Sequence, residues 1–256
     1  MIPPKPVGRP RRVSLWRYWR MFRRDILSAQ PEHLYRARMA EFRTSFFHSF
    51  LVNEPALVRE VLNERASDFP KSARVTRGLA PLLGRSVFVT NGSEWERQRR
   101  IIDPAFEGGR VRDAFPAMLA AAKAAAERVN PGVVEIEAMA SHATADVIFR
   151  SLFSIPIEDT LAAETYSAFR AFQRAQPIAT GAALLPWLPG RPRKSARDAA
   201  KRLRELIARL VETRQREIAS GKAPDDLATR IMTNTDPETG ERLGSEEMVD
   251  QVAIFF

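Results

Sequence analysis

Trp95 and Arg99 stand four residues apart in the run Gly92–Phe106, GSEWERQRRIIDPAF. At that spacing on a helix, an indole N–H and a guanidinium lie one above the other on one face. They are two donors that can grip a single anion. Arg97 and Arg100 add positive charge beside them. The same pair can also be a plain surface cation–π contact, and the spacing leaves both readings open. No residue in the chain is singled out as catalytic, and none as a metal ligand. The 256 residues contain no cysteine, so they can build no disulfide, zinc–thiolate cluster or thiolate nucleophile. His33, His48 and His142 have no metal-binding spacing, and His142, in an apolar helix, reads as a hydrogen-bonded core residue.

Local signals predict how the pair is positioned. Leu83–Thr90 is a short β-prone run, Asn91-Gly92 makes a turn, and Ser93 with Glu96 matches a capping box. Pro104 makes Asp103 a poor helical residue, so the helix is expected from about Glu94 to Ile102.

The surrounding chain reads as mainly α, with a small β-sheet near residues 34–52. Residues 1–12 form an extended basic lead-in, and residues 13–256 read as one further domain. Val13–Leu27 is a basic amphipathic helix in which Leu15, Trp19, Phe22, Ile26 and Leu27 share a face. That face either docks on the rest of the protein or lies on an anionic membrane. Leu34–Val52 suggests two strands joined near Thr44-Ser45, and Asn53–Asn63 a helix capped by Asn53. Helices are expected at Phe115–Val129, with a core face of Met118, Leu119, Ala122 and Val129, and after a β-prone stretch at 133–137, then at Ala163–Gln176.

The segment 177–193 is punctuated by Pro and Gly and carries Leu184, Leu185, Trp187 and Leu188. Such a loop lines a pocket, touches a membrane or folds back on the core. Ser195 opens a long helix to Ala219, followed by a helix at Asp225–Thr233 and a turn at DPETGERL. The last helix, SEEMVDQVAIFF, is capped by Ser245 and still apolar at Phe256.

Forty Lys and Arg against thirty-one Asp and Glu give a net charge of +9, with 45% hydrophobic residues. The balance would suit nucleic acid, an anionic membrane or an acidic partner, yet most arginines fall beside glutamates on polar helix faces. No recognition-helix pattern or aromatic-interleaved basic groove is visible, so no specific nucleic acid is expected. No apolar run is long enough to span a bilayer and there is no signal-peptide core, so the expected location is the cytoplasm.

The order of a Gly, a β-prone run, Asn-Gly, W-x-x-x-R-R and P-A-F resembles the C-helix region of cytochromes P-450, the heme-thiolate monooxygenases. NEPALVREVL and Phe69-Pro70-Lys71 precede it in the order that family shows. The resemblance implies the N-terminal part of the cytochrome P-450 fold, ending where the I-helix begins. It implies heme b as cofactor, with Trp95 and Arg99 binding a heme propionate and Arg77, in the loop before Leu83, as a further basic group. It places a lid over the substrate channel at 177–193, so Val87, Phe88 and Leu185 are expected to shape a substrate pocket. The reaction implied is insertion of one oxygen atom from O2 into an apolar organic substrate, with electrons from a ferredoxin or flavin reductase.

Three of the family's parts do not occur in these residues: A-G-x-D/E-T, the E-x-x-R of the K-helix, and the Cys-bearing loop F-x-x-G-x-R-x-C. Without the axial thiolate, the chain is expected to be an inactive N-terminal piece of such an enzyme. The alternative is a non-catalytic basic helical module that binds nucleic acid or an anionic membrane surface.

Overall fold

The structure is a computed structural model that describes residues 8–9, 13–25, 27, 29–43, 48–129, 132–175 and 194–256. It divides into two compact units, residues 1–70 with 177–191, and residues 71–176 with 192–256. Leu184, Leu185, Trp187 and Leu188 lie outside the described residues.

In the first unit, helix α1 (Leu15–Arg24) starts at Ser14, whose hydroxyl accepts the Arg17 N–H at 3.3 Å. Trp19 and Phe22 are half-buried, as their shared face requires, while Leu27 is exposed because the helix has ended at Asp25. Strands β1 (Met39–Arg43) and β2 (His48–Val52) pair antiparallel, Met39 opposite Val52 and Arg43 opposite His48. Asn53 does not cap the next helix. Its amide instead donates to Leu34 O at 2.9 Å and Ala37 O at 2.8 Å, two carbonyls that the chain leaves open before the hairpin. Helix α2 (Pro55–Arg59) therefore starts after Glu54, with proline where no N–H is needed, and widens into a π-helical turn at Glu60–Glu64.

The helices of the second unit among the described residues are α3 (Ala73–Leu83), α4 (Gly92–Ile102), α5 (Arg110–Asp113), α6 (Phe115–Glu127), α7 (Ile136–Phe153), α8 (Thr160–Ala175), α9 (Lys194–Ala219), α10 (Leu227–Thr233) and α11 (Ser245–Val252), joined by turns and coil. Its core is organised on α9, whose Leu203, Ile207, Leu210 and Val211 recur at helical spacing and are buried against α3, α8, α10 and α11. Phe149, Leu152 and Phe153 of α7 complete it. Burial of each such side chain contributes about 1.5–3 kcal/mol.

Several expectations change for identifiable reasons. The stretch 133–137 has no strand partner among the described residues, so Val133 is exposed and Ile136 already begins α7. Helix α6 meets α7 through small side chains, with Ala121 fully buried, so Leu119 and Val129 turn outward. Helix α9 already includes Lys194, which puts Ser195 in its first turn. Asp226 caps α10 through the Thr229 N–H at 3.0 Å. Gly244, not Ser245, is the cap of α11, and Glu247 reaches back to the Gly244 N–H at 2.9 Å. His142 is half-buried, 3.1 Å from Arg128 and edge-on to Tyr166.

Candidate anion and cofactor site

The approach to α4 is built from turns rather than a strand. The Ser86 carbonyl accepts the Val89 N–H at 2.8 Å and the Thr90 N–H at 3.0 Å. Two backbone donors on one oxygen pull Leu83–Thr90 into a coil and override its β propensity. The helix then begins at Gly92, two residues earlier than expected, with Asn91 as the flanking residue. Neither half of the Ser93/Glu96 box forms. The Asn91 amide accepts the Lys71 N–H at 2.8 Å and donates to Lys71 O at 3.1 Å, which clamps residue 71 beside the start of α4.

Buried Gln98 fixes the inner face of α4. It donates to Arg85 O at 2.7 Å and accepts from the Thr90 hydroxyl at 2.7 Å. Ile101 and Ile102 bury the next turn. Arg97 pairs with Glu247, and Arg100 donates two bonds of 2.8 Å to Asp236. These two arginines, which added charge beside Trp95 in sequence, are thus structural ties to the far end of the chain. Arg77 sits in α3, not in a loop, and donates to Ala73 O of its own helix at 3.1 Å.

The outer face of α4 carries the candidate site. Arg99 Cζ lies 5.8 Å from the centre of the Trp95 ring, and Lys71 Nζ lies 5.1 Å from the same ring. Two cations thus share one indole. Lys71 Nζ also donates to Thr90 O at 2.8 Å. Burial, and secondarily Arg99, holds the Lys71 ammonium below its ordinary pKa, so a nearby anion would restore it. Arg99 pairs through Nε with Asp103 at 2.9 Å. Its two terminal Nη groups and the indole N–H of Trp95 have no hydrogen-bond partner among the described residues.

Sequence reading did not assign Lys71 to this cluster. The F-x-K spacing marked its position, but only the Asn91 clamp reveals its direction.

Arg99 also edges a cleft of about 550 Å³. Val87, Phe88, Ile102, Phe106, Ile231, Ile254 and Phe255 supply its mostly apolar lining. The structure thereby brings Val87, Phe88 and Arg99 to one cavity. A flat apolar group with carboxylate arms fits this donor set: an apolar wall, an indole N–H, a guanidinium and an ammonium. An iron centre finds no thiolate here, since the chain has no cysteine, and no cluster of three or more His, Asp or Glu suited to a metal occurs among the described residues.

In fold, the chain is similar to the heme domain of a cytochrome P450 known from a crystal structure, with a TM-score of 0.67 and 21% identity, over 98% of this chain and 55% of that one. It belongs to the cytochrome P450 family, whose model matches residues 29–256. Among curated relatives, it is 30% identical over 250 residues to cyclooctat-9-en-7-ol 5-monooxygenase of Streptomyces melanosporofaciens, covering 95% of this chain and 51% of that protein. It is 24% identical over 214 residues to a cytokinin hydroxylase of Arabidopsis thaliana, covering 80% and 41%. The chain spans about half the length of the curated relatives it matches. The family implies heme and monooxygenase chemistry. No helix among the described residues is long and apolar enough to cross a membrane.

Proposed function

We propose that this chain forms the propionate-holding and substrate-lining part of a heme monooxygenase that inserts one oxygen atom into an apolar organic substrate. The observation that carries the reading is the pair of cations, Lys71 and Arg99, on the Trp95 indole, with Arg99 also at the edge of an apolar cleft. Arg99 and Trp95 donate to one propionate through groups that are otherwise unbonded, and Lys71 supplies a second positive charge. Val87 and Phe88 bound the substrate side of the cleft, while Leu185, expected at the substrate pocket from the family resemblance, lies outside the described residues.

Heme supplies the oxygen-activating chemistry when bound, and a ferredoxin or flavin reductase supplies electrons. The names of the relatives, a cyclooctat-9-en-7-ol 5-monooxygenase and a cytokinin hydroxylase, support an organic molecule as the substrate class. With no cysteine, these residues supply no axial thiolate, and the chain alone is expected to show no turnover.

The test is titration of protoporphyrin against its dimethyl ester, followed by quenching of tryptophan fluorescence. The free acid is expected to bind tighter than the ester, and Arg99→Met or Lys71→Met each to weaken it by about 10-fold, the scale of one charge-assisted hydrogen bond. Equal binding of acid and ester, unchanged in both variants, would remove these residues from the cofactor site.

A further inference from the structure

We infer that the solvent-facing side of α1 is a docking surface for anionic lipid headgroups, a property independent of the heme assignment. Residues 1–24 contain eight Lys and Arg and no Asp or Glu, and so hold most of the chain's net charge of +9. Helix α1 sorts its residues sharply. Tyr18, Trp19, Met21 and Phe22 are half-buried, whereas Trp16, Arg17, Arg20, Arg23 and Arg24 are exposed.

At 100° per residue, those five exposed positions fall within an arc of about 120°, with Arg20 at its middle and Trp16 between Arg20 and Arg23. Among the described residues, none of the four arginines has an ion-pair partner. By contrast, Arg85, Arg97, Arg100, Arg170, Arg204 and Arg214 of the second unit are each paired with a carboxylate. The helix itself contains no acid, and the first one after it, Asp25, accepts the Leu27 N–H at 3.0 Å beyond the arc.

Charge complementarity selects an anionic surface, and Trp16 selects lipid over nucleic acid. Its ring is 70% exposed and stacks on Trp19 at 5.1 Å, a large apolar group set among guanidinium groups. Arg23 covers the far partner of that stack, 4.8 Å from the Trp19 ring. Indole at the headgroup level with arginines beside it is the pattern of an interfacial helix. A helix of 10 residues is about 15 Å long, enough to lie on a surface and too short to enter it end-on.

The test is co-sedimentation of the full chain with phosphatidylcholine vesicles and with vesicles of equal parts phosphatidylcholine and phosphatidylserine. Binding is expected only to the second, and to fall steeply with salt. The triple change Arg20→Gln, Arg23→Gln, Arg24→Gln is expected to weaken it on the order of 100-fold. Lys201→Gln, Arg202→Gln, Arg209→Gln removes the same charge from the exposed side of α9 and is expected to have little effect. Trp16→Ala is expected to weaken vesicle binding several-fold. Equal loss in both triple variants would reduce the effect to net charge and overturn the proposal. So would equal binding to neutral vesicles, or binding to duplex DNA through the same arginines with no vesicle binding.

Discussion

Asp250 reaches back 165 residues to accept the Arg85 N–H at 2.7 Å, and its carboxylate fills the space where a side chain on Gly84 would begin. A Cβ at Gly84 would lie 2.0 Å from Asp250 Oδ1, and the backbone there has φ +51°. Arg204 pairs with the same carboxylate at 2.7 Å and bonds Leu82 O at 2.7 Å, so the turn before α4 is held from two helices. Gly84→Ala is expected to destabilise the chain by at least about 2 kcal/mol, from the left-handed backbone and the clash together. Asp250→Ala in the same background should recover part of the loss by removing the clash. Denaturant midpoints check both, and a Gly84→Ala variant as stable as the parent would contradict the tight approach.

Asp236 is buried and receives both Arg100 bonds together with the Glu238 N–H at 3.0 Å. The Arg100 bonds are the main reason its carboxyl is held well below the usual carboxylate range, against an opposing effect of burial. A depressed carboxyl stabilises the fold above its ordinary value near 3.8 and loses that contribution as pH falls toward the folded value. Thermal unfolding measured against pH should therefore show an acid limb below about pH 4. Asp236→Asn is expected to flatten this limb, and an unchanged limb would place the titration elsewhere.

Arg214 is 4% exposed and donates to Asp226 at 2.5 Å, to the Thr229 hydroxyl at 2.9 Å and to Phe153 O at 2.6 Å. Asp226 also accepts from Ser154, the single non-glycine residue with positive φ among the described residues. Arg214→Met leaves a buried carboxylate without its cation and is expected to cost about 3–5 kcal/mol. Arg214→Met with Asp226→Asn should cost less than the sum of the two single changes. Additive losses in that double-mutant cycle would mean the two side chains are not coupled.

Lys71, depressed by burial first and by Arg99 second, gives the anion site a signature in pH. Affinity for a porphyrin carboxylate is high while the ammonium is protonated and falls as pH rises through the lowered value. Removal of the Arg99 charge by Arg99→Met lifts one cause of the depression, so the fall should move toward the ordinary lysine value of 10.5. Lys71→Met should show no such fall. A pH titration of porphyrin binding in the three proteins separates these cases, and identical curves would exclude Lys71 from the site.

Helical periodicity made α9 legible because a long apolar stripe dominates its burial, α7 was legible as a long apolar run, α4 was bracketed by Asn91-Gly92 and Pro104, and the alternating run near 34–52 located the hairpin. Trp95 and Arg99 were legible because their relationship is a spacing within one helix. Lys71 was not, since its place depends on the Asn91 side chain turning toward residue 71 instead of capping α4. The β propensity of Val87, Phe88 and Val89 misled for a related reason. The Ser86 carbonyl collects two local N–H donors, and no strand is available among the described residues to compete for them. Arg97 and Arg100 read in sequence as added charge beside Trp95 and Arg99, and only the folded chain shows that Glu247 and Asp236 occupy them.

The ties on α4 also set an order of assembly. Besides Arg97–Glu247 and Arg100–Asp236, the Asn234 amide donates to Ile101 O at 3.0 Å, and the three contacts close loops of 150, 136 and 133 residues. An isolated helix of 11 residues is only marginally stable in water. Such distant contacts return their energy only after the entropy of loop closure has been met. As synthesis proceeds from the N-terminus, the indole and its two cations are therefore made early and fixed late, after α10 and α11 have emerged. Contacts that form late chiefly govern the rate of unfolding. Weakening of Arg97 or Arg100 should thus speed unfolding far more than it slows folding, so that the site's lifetime is set by residues that never touch its ligand.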